Sequence, residues 1–219
     1  MRIAVLGTGV VGRTIAARAA ELGHQVTIGT RDVTATRDRG GDHADWAARH
    51  PVVGLATLAG AAADAELVVN ATSGAASLAA LTAAGEANLA GKVLLDIANP
   101  LDHAAGFPPT LSVLNTDSLG EQIQRAFPQL KVVKALNTTA ADLMADPRQL
   151  ADGDHTVFVS GDDADAKRTV TGLLTSFGHT DVVDLGDITT ARGTEMLLPL
   201  WLRLYGTLGT GIFNVKVVR

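Results

Sequence analysis

Arg2-Ile-Ala-Val-Leu6-Gly7-Thr8-Gly9-Val10-Val11-Gly12 is the stretch on which the fold turns. Its apolar run stops at Gly7, the pattern of a strand buried in a parallel sheet. Val10 to Leu22 then carries Val11, Ile15, Ala19 and Leu22 at helical spacing, and Gly23 stands where such a helix ends. Between strand and helix lies a G-x-G-x-x-G. The first glycine of that pattern permits a tight turn, the second lets backbone approach a pyrophosphate, and the third lets helix and strand pack closely. Free amides at the helix N-terminus, aided by the helix dipole, then favour phosphate. The string alone is common, and its position between one strand and one helix gives it meaning.

The same alternation continues outward. Gln25 to Gly29, Val52 to Leu55, Glu66 to Ala71, Lys92 to Ile97 and Lys131 to Leu136 read as further strands. Thr30 to Pro51 reads as a loop with a short helix near Ala44 to Arg49, and Leu58 to Asp64, Ala75 to Leu89 and Asp117 to Phe127 as crossover helices. Short apolar strands alternating with helices predict a doubly wound parallel sheet, the Rossmann NAD(P)-binding fold, covered on both faces. Thr139 to Met144, His155 to Ser160, Asp163 to Phe177 and Thr180 to Leu185 repeat the pattern, and Ile188 to Leu204 predicts one long buried helix despite Pro199. The expected division is a nucleotide-binding domain over 1–138 and a small C-terminal α/β subdomain over 139–219, packed together without a linker.

Composition narrows the function classes. The chain has 219 residues, 47% of them hydrophobic, and a net charge of -5, so disorder is excluded. A slightly acidic balance lacks the clustered basic footprint of a nucleic-acid partner. With no cysteine and six scattered histidines, no thiolate or helical histidine metal site is expected. No apolar run approaches the roughly 20 residues that span a bilayer. The expectation is a soluble, cytoplasmic protein without metal.

The end of the second strand selects the dinucleotide. An NAD enzyme usually places Asp or Glu there to bind the ribose 2′-hydroxyl. Ile28-Gly29-Thr30-Arg31-Asp32 places Thr30 there, and a hydroxyl beside a guanidinium suits a 2′-phosphate. Arg37 or Arg39 offers a second cation, while Asp32 is the competing acid. The reading is NADP(H). Asn70-Ala71-Thr72-Ser73 and Ala98-Asn99-Pro100 follow the fourth and fifth strands, at the carboxyl ends where such sheets bind ligands.

Several of these stretches carry a family likeness. Met1 to Gly12, Gly29-Thr30-Arg31, Val132 to Thr138 and the glycine tail Gly206-Thr-Leu-Gly-Thr-Gly-Ile212 resemble NADPH-dependent reductases of the deazaflavin coenzyme F420. The oxidoreductase domain of the six-transmembrane metalloreductases is similar too. The resemblance implies that Gly7, Thr8, Gly9, Val10, Val11 and Gly12 hold the pyrophosphate, with Thr30 and Arg31 at the 2′-phosphate. It puts Asn70 to Ser73 beside the ribose and nicotinamide. A deazaflavin or flavin acceptor would lie against Asn99, Pro100, Leu101, Asn137, Thr138, Thr139, Leu208 and Gly209. The archaeal reductases carry histidine where this chain has Asn137, and asparagine resembles the flavin-using metalloreductase branch. The acceptor therefore stays open between the two.

Hydride transfer between stacked rings asks the protein for proximity, orientation and dryness, with no acid, base or metal. No nucleophile elbow and no Ser/Tyr-x-x-x-Lys pair occurs here, which agrees. Lys134 in an apolar strand and Glu195 in an apolar helix each read as a buried charge seeking a partner. Apolar Met196 to Leu202 could wall an acceptor or join two copies in a homodimer. The competing functions are a non-catalytic NADP(H) sensor and a reductase or dehydrogenase of a small imine or alcohol.

Overall fold

The computed structural model describes residues 1–219. β1 (Arg2–Leu6) leads into α1 (Val10–Glu21) and back to β2 (Gln25–Thr30). After α2 (Val33–Arg37), α3 (Gly41–Arg49), β3 (Gly54–Thr57) and α4 (Leu58–Ala63), β4 (Leu67–Asn70) returns to the sheet. α5 (Gly74–Ala84) and α6 (Glu86–Leu89) then cross to β5 (Val93–Asp96). A two-stranded hairpin, β6 (Leu101–Asp102) with β7 (Thr110–Leu111), precedes α7 (Leu119–Ala126) and β8 (Lys131–Ala135). α8 (Ala141–Ala145), β9 (Thr156–Ser160), α9 (Ala164–Phe177), β10 (Asp181–Asp184), α10 (Ala191–Met196) and α11 (Leu198–Leu208) complete the chain.

Eight strands form one sheet in the order β10-β9-β8-β5-β4-β1-β2-β3. Order reverses between β1 and β4, which is the crevice where a doubly wound sheet takes its ligand. Alternation along β1 shows how both faces are covered. Ile3 and Val5 join Ile15, Ala16 and Ala19 of α1 and the apolar side of α9. Ala4 and Leu6 join Leu58, Ala61, Leu81 and Ile123 from α4, α5 and α7. Successive side chains point to opposite faces, so an unbroken apolar run is what a sheet buried on both sides requires.

Three features differ from the expectation. β9 pairs with β8 antiparallel, while every other ladder of the sheet is parallel. The expected helix over 188–204 is a 3-10 turn at 188–190 followed by α10 and α11, with a break at Leu197. Pro199 lacks an N–H and crowds the carbonyl four residues back, so it is accommodated only in the first turn of a new helix. That new helix runs on to Leu208, so Gly206 is helical and the tail begins only at Gly209, which ends α11 in the left-handed region at φ 67°. No helix is long and apolar enough to cross a membrane.

Candidate active site

The turn after β1 is built for a group larger than a side chain. Gly7 has φ +123°, and a Cβ there would lie 2.5 Å from the Ala71 carbonyl oxygen. A Cβ on Gly12 would overlap the Gly7 carbonyl oxygen. A Cβ on Gly9, by contrast, would meet nothing within 4 Å. Gly9 caps α1 without any side-chain acceptor, so the first amides of that helix face open space. Crowding at two glycines and emptiness at the middle one is the shape of a phosphate cradle, and the residues present fit a dinucleotide.

Cations gather beside it. Arg39 donates from Nη1 to the Thr8 hydroxyl at 3.0 Å; Arg31, directly after β2, and Arg37, the last residue of α2, are exposed. The Thr30 hydroxyl is 2.7 Å from that of Thr36. Asp32 is spoken for, since its Oδ1 accepts from the Ala35 amide at 2.9 Å and caps α2.

A cavity of about 440 Å³ opens at the carboxyl ends of β4, β5 and β8. Val11 and Ala71 connect it to the glycine turn. Thr72, Ser73, Ala98, Asn99 and Leu101 form one side, Asn137 and Thr139 another, and Met144 of α8 lies deeper. Leu198, Trp201 and Leu202 of α11 close the far wall. Gly74 allows the loops after β4 and β5 to touch, because a Cβ there would overlap the Asn99 carbonyl oxygen. His103 is the one histidine in the lining, and no lysine, arginine, aspartate or glutamate lines the cavity.

The expected site residues divide on this frame. Asn70 is fully buried and points away from the cavity into a network. Its Nδ2 donates to Asp96 at 2.8 Å and Ser77 at 3.0 Å, and its Oδ1 accepts from Thr72. Thr138 and Pro100 are buried behind the lining. Thr139 lines the cavity with its hydroxyl buried and unpartnered. Leu208 and Gly209 stay outside the lining; from the glycine tail it is Gly211 that packs on Ala140. The apolar stretch Met196 to Leu202, open between an acceptor wall and a contact between copies, supplies three residues of α11 to the lining. Leu198, Trp201 and Leu202 share one helical face, but apolar periodicity alone does not separate a cavity wall from a core face. Leu136, at φ 60°, carries no sequence signal of its conformation; the left-handed backbone there costs about 1–2 kcal/mol and turns the chain after β8 toward Asn137, which lines the cavity.

Beneath the cavity lies a buried ion cluster. Lys134 Nζ donates to Asp96 Oδ2 at 2.6 Å, to Glu195 Oε1 at 2.8 Å and to the Ala98 carbonyl at 2.6 Å. Burial alone pushes the lysine down, but Asp96 and Glu195 together outweigh it and hold Lys134 above its ordinary value. Glu195 also accepts from the Leu119 and Gly120 amides at the start of α7. With all three protons committed, Lys134 has none to give a substrate.

A doubly wound sheet with a phosphate cradle at its first turn and an apolar cleft across the switch point is that of a dinucleotide-dependent oxidoreductase. Residues 2–100 match the family described as NADP oxidoreductase coenzyme F420-dependent. The F420-dependent NADP reductase of Methanothermobacter marburgensis is 31% identical over 209 residues, covering 93% of this chain and 92% of that protein. A crystal structure from Arthrobacter sp. FB24, provisionally named an F420-dependent NADP-reductase, is 66% identical with a TM-score of 0.98 over the whole of both chains. The metalloreductase STEAP3 of Rattus norvegicus is 29% identical over 217 residues, and this chain spans only 40% of its length. The chain belongs to the F420-dependent NADP reductase family. It is an NADP-dependent oxidoreductase of that family.

Proposed function

We propose that the protein passes hydride between NADP(H), held across the glycine turn, and a deazaflavin such as coenzyme F420, or a flavin-like ring, held in the cavity. The observation that carries this reading is the cavity itself, about 440 Å³, which adjoins the glycine turn through Val11 and Ala71 and has no lysine, arginine, aspartate or glutamate in its lining. Gly7, Gly9 and Gly12 make room for the pyrophosphate, and Arg31, Arg37 and Arg39 with Thr30 read the 2′-phosphate. The dinucleotide supplies the hydride, and the protein supplies orientation and exclusion of water. Leu198, Trp201 and Leu202 wall the acceptor on one side while Asn137 and Thr139 offer polar edges on the other. Met196 and Leu200, exposed on α10 and α11, are the side chains we assign to contact between two copies.

Incubation with NADPH and, in turn, F420, FMN and FAD tests the reading through loss of the reduced-nicotinamide absorbance. Turnover with F420 is the expected outcome, and turnover with FMN or FAD alone assigns the flavin-like ring instead. Tight NADPH binding without turnover on any of them overturns it in favour of a sensor.

A further inference from the structure

We infer that the buried Lys134–Asp96–Glu195 cluster is a fixed net negative charge that favours the oxidised, cationic nicotinamide over the reduced, neutral one. The inference rests on the NADP(H) reading of the cleft. Every contact to the two carboxylates comes from a donor. Asp96 accepts from Lys134, from Asn70 Nδ2 and from the Ala98 amide, and Glu195 accepts from Lys134 and from the Leu119 and Gly120 amides. Acceptor-only oxygens need no proton, so one cation faces two anions and the sum is a single negative charge. The adjacent pair, Glu121 with Arg192, is neutral in sum and leaves that balance untouched.

Its location gives the charge a target. The Lys134, Asp96 and Glu195 side chains are at most 2% exposed, so solvent and salt screen the cluster little. Lys134 and Asp96 both hydrogen-bond the peptide of Ala98, and Ala98 lines the cavity. In this fold the adenosine ribose is read at the end of β2, so the nicotinamide falls on the opposite side of the switch point, over the ends of β4 and β5. Asp96 is the last residue of β5. NADP⁺ and NADPH share phosphates, riboses and adenine, and differ in charge only at the ring. Their affinity ratio therefore reports what surrounds that ring, and a buried anion there shifts the bound couple toward NADP⁺ and hydride donation.

The test is a calorimetric titration of NADP⁺ and NADPH into wild type, Glu195→Gln and Asp96→Asn, with folding checked by thermal melts. Wild type is expected to bind NADP⁺ more tightly than NADPH. Each substitution brings the cluster to neutrality and is expected to lower the ratio of Kd for NADPH to Kd for NADP⁺ by about tenfold, equivalent to about 1.4 kcal/mol. Arg31→Ala should weaken both forms alike and leave the ratio unchanged, which separates the 2′-phosphate reading from this one. A ratio that stays within about twofold of wild type in a folded variant overturns the inference while NADP(H) binding stands. If neither variant folds, the wild type decides, because tighter binding of NADPH than NADP⁺ overturns it. A wild type that binds neither form removes the NADP(H) reading and this inference together.

Discussion

Asn99 and Asn137 exchange two hydrogen bonds across the cleft floor. Asn99 Nδ2 donates to the Asn137 carbonyl at 2.7 Å, and Asn137 Nδ2 donates to Asn99 Oδ1 at 3.0 Å. They lock the loop after β5 to the loop after β8, and both side chains line the cavity. Asn137→Ala leaves Asn99 Oδ1 without its partner, a loss of about 1–3 kcal/mol where water is excluded. The acceptor KM should rise about tenfold, with NADPH affinity within about twofold of wild type. Steady-state kinetics with the acceptor that wild type uses checks the split. Equal losses for both substrates would show that the pair supports the fold at large.

Arg31 and Asp32 test the dinucleotide choice. Asp32 caps α2, so its carboxylate is committed, while Arg31 stays exposed at the end of β2. Arg31→Ala removes a charge-assisted contact of about 1.5–3 kcal/mol to a 2′-phosphate. NADPH affinity should fall at least about tenfold while NADH affinity moves within about twofold. Equal changes in the two titrations would remove Arg31 from that role.

How far the site could be read from sequence depends on whether a residue's meaning is local. The glycine turn is local: strand, spacing and helix all lie within residues 2–21. Lys134 and Glu195 were each legible as charges in apolar surroundings, but not as each other's partner, because only the folded packing of α10 under β8 brings them to 2.8 Å. The reversal at β8–β9 was hidden for a related reason. Strand signals carry no direction, and α8 with its following turns offers no mark of an antiparallel return. Met196 to Leu202 was legible as an acceptor wall or as a contact between copies, and apolar periodicity, which looks the same over a cleft and over an interface, could not choose between them.

Glycine substitutions should have opposite signs at two positions. Gly12→Ala would drive a Cβ into the Gly7 carbonyl oxygen, so the turn must open and nucleotide affinity should fall at least about tenfold. Gly172, inside α9, has ordinary φ and nothing within 4 Å of a built Cβ. Gly172→Ala should therefore stabilise the protein by about 0.5–1 kcal/mol through helix propensity. Urea denaturation reads the second effect and titration with NADPH the first. A destabilised Gly172→Ala would mean that α9 meets a neighbour there.

His179 should set the acid limit of stability. It is 2% exposed, its Nε2 sits 3.0 Å from the Met144 carbonyl, and its Nδ1 has no partner. Burial pushes its pKa down to about 4 from 6.5, with His155 adding to the shift against the Met144 carbonyl. The folded state therefore binds fewer protons than the unfolded chain between those values. The contribution is complete above pH 6.5 and is lost as pH falls through about 4. The full shift corresponds to a ceiling of about 3–4 kcal/mol. The Asp117 carboxyl, held at about 2 chiefly by the Arg125 guanidinium, titrates below this window. Stability from urea melts should thus fall between pH 6.5 and 4 in wild type and fall much less in His179→Asn. Parallel slopes in the two proteins would assign the loss to other groups, His43 first among them, since burial lowers its pKa as well.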